Sequence, residues 1–154
     1  MLNMDIGRHH IRWAIQPHVG PLDSRTVRTA ANFNNPLRIA SHPSPRDVKV
    51  LLSTFRITGP STEGLVLDTV KRGEDDEDVS VGDLPERKGR SVVLRIYDAL
   101  GGKARAKVEW GALSVKKVNR CNLLEDDGEE VDIDVNGAWI QVRAFEVVSL
   151  RLQL

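Results

Sequence analysis

Between Leu65 and Trp110 apolar and polar residues alternate with a period of two, and this alternation commits the chain to β architecture more firmly than any other feature. Leu65, Leu67 and Thr69 point one way and Val66, Asp68 and Val70 the other, while Val92, Leu94 and Ile96 alternate with Val93, Arg95 and Tyr97. Successive side chains of a pleated strand behave in this way. Lys103 to Trp110 supplies a third strand, and Gly101-Gly102-Lys103 reads as the hairpin turn before it. The first two strands are separated by Arg72 to Gly89, which carries the acidic run Glu74-Asp75-Asp76-Glu77-Asp78 and only Val79, Val81 and Leu84 as apolar side chains. So little burial does not offset the entropy of ordering, so the reading is an exposed, mobile, solvated loop.

The same grammar continues downstream. Leu113 to Val118 with a continuation to Leu124, Val131 to Val135, Ala138 to Val142 and Phe145 to Leu154 each read as strands. Glu125 to Glu130 is a polar turn, and Asn136-Gly137 is the strongest hairpin signal because both central positions of a type I′ turn need positive φ. In the last strand Val148, Leu150, Leu152 and Leu154 face one side, and Val147, Ser149, Arg151 and Gln153 the other.

Upstream the pattern differs. His10 to Gln16 reads as a strand with Ile11, Trp13 and Ile15 on one face, closed by Pro17 and Gly20. Asp23 or Ser24 caps a helix with Val27, Ala30, Ala31 and Phe33 at helical spacing, stopped by Asn34-Asn35-Pro36. Leu37 to Ser41 reads as a brief strand, His42-Pro-Ser-Pro-Arg46 as a linker, Val48 to Ile57 as a strand and Thr58 to Gly64 as a turn. The expected architecture is therefore mainly β. An antiparallel β-sandwich spans 47–154, preceded by one short helix within residues 1–46.

Bulk properties narrow the function. The 154 residues suffice to bury roughly 70% of the unfolded surface. With 22 basic and 22 acidic residues, no net charge favours nucleic acid as a partner. No apolar run approaches the ~20 residues of a membrane-spanning helix. A single cysteine and the absence of any Asn-x-Ser/Thr acceptor point to a reducing intracellular compartment. Trp13, Trp110 and Trp139 all lie in alternating segments and are read as core anchors.

No constellation carries chemistry. Asp5, His9, His10 and His18 match no compact zinc spacing. The acidic runs at Glu74 to Asp78 and Glu125 to Glu130 lack a calcium loop's glycine register. Cys121 sits at a strand end among polar neighbours without a nucleophile's turn, and Gly101-Gly102-Lys103 falls short of a phosphate loop. The expectation is that this chain contributes no catalytic, cofactor-binding or metal-binding residue.

A family resemblance emerges from several short stretches taken in order. Asp5-x-Gly7-x-His9, Pro17-His18-x-Gly20, Val66-Leu-Asp-Thr-Val-Lys71, Leu94-Arg-Ile-Tyr-Asp98, Leu123-Leu-Glu-Asp126 and Phe145-Glu-Val-Val-Ser-Leu150 together resemble the carboxyl-terminal portion of glycoside hydrolase family 38 α-mannosidases, closest to the cytosolic and fungal vacuolar branch. The resemblance implies a parent enzyme that hydrolyses α-linked mannose in oligosaccharides, with zinc and nucleophile in an amino-terminal domain that this chain lacks, and it makes residues 1–46 the trailing part of that enzyme's larger central β-domain and 47–154 its small terminal sandwich. It implies a truncated chain or fragment of cytoplasmic or vacuolar location, inactive alone. Its expected partners are the catalytic portion of an α-mannosidase or further copies of the chain. Two other readings stand beside it: a sandwich that itself binds mannose-containing oligosaccharide, and an interaction module using the acidic loop as its contact.

Overall fold

The computed structural model describes residues 8–36, 55–82 and 86–154. They form one helix, α1 (Ser24–Asn34), and nine strands: β1 (Arg56–Thr58), β2 (Leu65–Arg72), β3 (Ser91–Asp98), β4 (Ala104–Glu109), β5 (Lys117–Cys121), β6 (Asp127–Val131), β7 (Ile133–Asp134), β8 (Gly137–Val142) and β9 (Val147–Gln153). Two antiparallel sheets result, ordered β1-β4-β8-β7 and β2-β3-β9-β5-β6. The fold is the expected antiparallel β-sandwich. The strand expected at 37–41, the linker at 42–46 with its domain boundary, and most of the strand expected at 48–57 lie outside the described residues.

The core is the slab between the sheets. Leu94, Ile96, Val118, Val148, Leu150 and Leu152 from the five-stranded sheet meet Ala106, Val108, Ala138, Ile140 and Val142 from the other, with Trp110 beside them. These are the inward positions of each strand's alternation, and each fully buried Val, Leu or Ile contributes roughly 1.5–3 kcal/mol.

Four readings change in detail. First, β3 and β4 belong to different sheets, so Ala99 to Lys103 is a crossover and not a hairpin. The Asp98 carboxylate holds it, accepting hydrogen bonds from Leu100 N (3.4 Å), Gly101 N (2.7 Å) and Phe145 N (2.9 Å). Second, the β2–β3 register shifts between Leu67 and Thr69. The bulge reverses the alternation beyond it: Val70 lies opposite Leu94 on the inner face, and Thr69 and Lys71 lie opposite Arg95 and Val93 on the outer one. Third, the two-residue loop between β7 and β8 is Val135-Asn136, because Asp134 pairs with Gly137. Only Asn136 takes positive φ (56°), and Gly137 is a strand residue where a Cβ would meet Lys107 Cε at 2.7 Å. Fourth, Glu125 to Glu130 is only partly a turn: Asp127 onward forms β6.

The largest correction concerns the acidic insertion, which is a folded strap and not a solvated loop. On the outer face of the five-stranded sheet, Val93, Arg151 and Asn119 sit side by side across β3, β9 and β5. Arg151, on the central strand, is 0% exposed. Its Nη1 donates to Asp75 Oδ1 at 2.5 Å and its Nη2 to Glu125 O at 2.7 Å, with Asp127 Oδ1 3.4 Å from Nε. Asp76, also 0% exposed, accepts from Ser91 N and Ser91 Oγ at 2.6 Å each and from Arg72 Nη2 at 3.0 Å. Arg87 joins Asp75 (3.0 Å) to Asp127, Arg72 also reaches Asp78 (2.7 Å), and Lys71 links Glu74 with Glu125, 2.5 Å from the latter. The strap can enter so closely because its first residue is Gly73, where a Cβ would lie 2.3 Å from Ser91 Oγ.

Two consequences are measurable. Replacing Arg151 by Ala leaves buried carboxylates uncompensated and is expected to cost about 3–5 kcal/mol in urea unfolding at neutral pH, whereas Lys117→Ala, which removes an exposed pair with Glu130, should cost less than about 1 kcal/mol. The second concerns pH. Burial raises the Asp75 carboxyl, but hydrogen bonds from Arg151 and Arg87 outweigh it and hold the group below its ordinary value of 3.8. A carboxylate depressed in the folded state contributes stability that is complete above its unfolded value and is lost as pH falls through the folded one. Urea midpoints followed downward from pH 5 should therefore drop below about pH 4, with a smaller drop in Asp75→Asn.

Candidate functional site

Three surfaces are candidates, and the first is amino-terminal. Residues 8–18 join no ladder, so the strand expected at His10 to Gln16 is not formed. Ile11 (85% exposed), Trp13 (78%) and Ile15 (80%) instead present their apolar side chains outward. The physical reason is that, among the described residues, neither sheet offers this segment a neighbour for its alternation to face. Arg12 places its guanidinium 4.7 Å from the Phe33 ring centre and ties the segment to α1. The helix forms as expected: Asp23 Oδ1 accepts from Arg25 N and Thr26 N at 3.0 Å each, and Asn35 N closes the far end on Ala31 O at 2.8 Å. Thr26, Val27, Ala30 and Ala31 approach Val66, Tyr97 and Leu100 across a gap of about 420 Å³.

The second surface is the outer face of the four-stranded sheet. Trp139, expected in the core, projects outward at 40% exposure because Ala138 and Ile140 take the inward positions of β8. Arg105 lies 4.9 Å over its ring. Trp110 alone of the three indoles is a core anchor, at 2% exposure. The third surface is a cleft of about 910 Å³ between the ends of β4 and β8 and the strand β6. Arg120 and Glu146 form its floor, with Arg120 Nη2 donating to Gln141 O at 2.6 Å and Arg120 Nη1 3.6 Å from Glu146 Oε1.

The residues weighed as sites from sequence fall as follows. Asp5 lies outside the described residues; His9, His10 and His18 are exposed. Among the described residues no group of three or more His, Cys, Asp or Glu side chains could hold a metal ion. Cys121 ends β5 half-buried, and burial pushes its thiol up from the ordinary value, away from nucleophilic character. Glu74, Asp75, Asp76 and Asp78 of the acidic run are engaged with arginine and lysine, leaving Asp75 and Asp76 unavailable as an external contact. Sequence reading missed Arg151, whose position in an alternating strand gave no sign of a second covering layer.

Residues 64–150 match the model of the glycosyl hydrolases family 38 C-terminal beta sandwich domain. Over 96% of its length the chain is 32% identical to the Alpha-mannosidase of Saccharomyces cerevisiae, of which it spans 14%. It is 32% identical over 97% of its length to Alpha-mannosidase 2C1 of Homo sapiens, spanning 13% of that protein. To Alpha-mannosidase G of Dictyostelium discoideum it is 27% identical over 96% of its length and spans 12%. Two packed antiparallel sheets, the matched segment running from the start of β2 into β9, and relatives related along almost all of the chain agree with one another: the chain belongs to the family of glycosyl hydrolase family 38 C-terminal β-sandwich domains.

Proposed function

We propose that this chain is a non-catalytic carboxyl-terminal module of an α-mannosidase of the cytosolic and fungal vacuolar branch, and that its task is to pack against the catalytic body of that enzyme. The parent activity on this reading is hydrolysis of α-linked mannose in oligosaccharides, with zinc and the nucleophile held by the catalytic body. The branch rests on the motif resemblance. The cytoplasmic or vacuolar location rests on that resemblance together with the single cysteine and the absence of glycosylation acceptors.

The observation that carries the reading is the alternating strip Ile11, Trp13 and Ile15, between 78% and 85% exposed. Exposed apolar side chains at every second position are the inner face of a strand whose neighbours belong to another body. The relatives extend far beyond this chain, which spans 12% to 14% of them, and that extra length leaves room for such a body.

Two measurements test it. Purified chain should release no chromophore from an aryl α-mannoside with or without added zinc; turnover would refute the non-catalytic assignment. Mixed with the upstream region of an α-mannosidase produced as a separate chain, it should form a complex, and Trp13→Asp with Ile15→Asp should weaken that complex about thirtyfold or more. Equal affinity of the variant would remove the strip from the interface.

A further inference from the structure

The cleft beside β6 has two chemically distinct walls. From the four-stranded sheet come Lys103, Arg105 and Arg143; from β6 and the turn after it come Glu129, Glu130 and Asp132. Arg105 is laid against Trp139 and Glu130 meets Lys117 at 2.9 Å. Lys103, Arg143, Glu129 and Asp132 are exposed and make no ion pair with another described residue. Cations and anions at the acidic strap are joined directly; these four line one cleft without being paired to one another. The Arg120–Glu146 pair fixes the floor.

This arrangement selects among ligands. A small anion gains from one wall and is repelled by the other, and a small cation meets the reverse. Net attraction requires a ligand that carries both signs and delivers each to its own side. An extended polypeptide does this through its geometry, because successive side chains point to opposite sides at about 3.3 Å per residue. A strand lying along the cleft sends residues i and i+2 to one wall and i+1 and i+3 to the other. We propose that the cleft binds an extended segment of a partner protein in which acidic and basic residues alternate, the acidic ones facing Lys103 and Arg143 and the basic ones Glu129 and Asp132. The site is independent of the amino-terminal strip, and neither its success nor its failure bears on the docking described above.

The test uses the whole chain and a fluorescent peptide of about twelve residues alternating Glu with Lys, followed by anisotropy at near-physiological salt. The alternating peptide should bind saturably and about tenfold more tightly than all-Glu or all-Lys peptides of equal length. Lys103→Glu with Arg143→Glu, and separately Glu129→Lys with Asp132→Lys, should each weaken it about tenfold. The chain carrying all four reversals exchanges its walls, so binding should return, a rescue that damaged folding does not produce. No saturable binding below about 1 mM, equal affinity for single-sign peptides, or no rescue in the fourfold variant would overturn the proposal. Displacement of the peptide by a mannose oligosaccharide would also overturn it and assign the cleft to sugar.

Discussion

The structure depends on how a guanidinium survives without water. Arg151 occupies the middle of the central strand of the five-stranded sheet, and no water reaches its side chain. Desolvating a cation costs several kcal/mol unless opposite charge and hydrogen bonds surround it. The chain meets this requirement by folding an insertion back over the sheet, so that Asp75 arrives from one side and Glu125 and Asp127 from the other. The outer face thus acquires a second, polar core. Val93, at 0% exposure, lies on that face between Lys71 and Arg151 and outside the core cluster of the sandwich interior. Apolar burial holds the two sheets together, and charge pairing holds the strap to one of them.

Much of the sandwich was legible because it rests on local rules. Period-two alternation located β2, β3, β4, β8 and β9, and the Asp23 cap with the Asn-Asn-Pro stop located α1 to within a residue. What failed were inferences needing knowledge of neighbours. Alternation says which residues share a face and is silent about what covers it, so it puts Arg151 on the face opposite Leu150 without revealing its burial, and it puts Trp139 in the core. The Asp68 bulge and the Val135-Asn136 loop each displaced a reading by a single residue. The acidic run was misread for a different reason: low hydrophobicity predicts disorder only when the charges lack partners, and Arg72, Arg87 and Arg151 are scattered over the sequence.

The candidate surfaces divide along the same line. The strip at Ile11, Trp13 and Ile15 was visible as a strand-like pattern, and its exposure accords with the lack of a neighbour among the described strands of either sheet. The two-walled cleft was invisible, since its basic wall comes from the ends of β4 and β8 and its acidic wall from β6, three segments with no sequence relation. The conspicuous charges of the acidic strap, Glu74, Asp75, Asp76 and Asp78, are paired within the fold. Those able to meet another molecule are the inconspicuous singles, such as Lys103 and Asp132.

Strand order carries a kinetic implication. The centre of the five-stranded sheet is β9, the last element of the sandwich in sequence, and it pairs on one flank with β3 and on the other with β5. Until β9 is in place β2–β3 and β5–β6 are separate hairpins, each marginal in water. The sheet thus closes through contacts far apart along the chain, a topology that folds slowly. Arg151 and the strap belong to that same late step. During synthesis the inner faces of both hairpins wait for the final strand and stay exposed to wrong contacts in the interval.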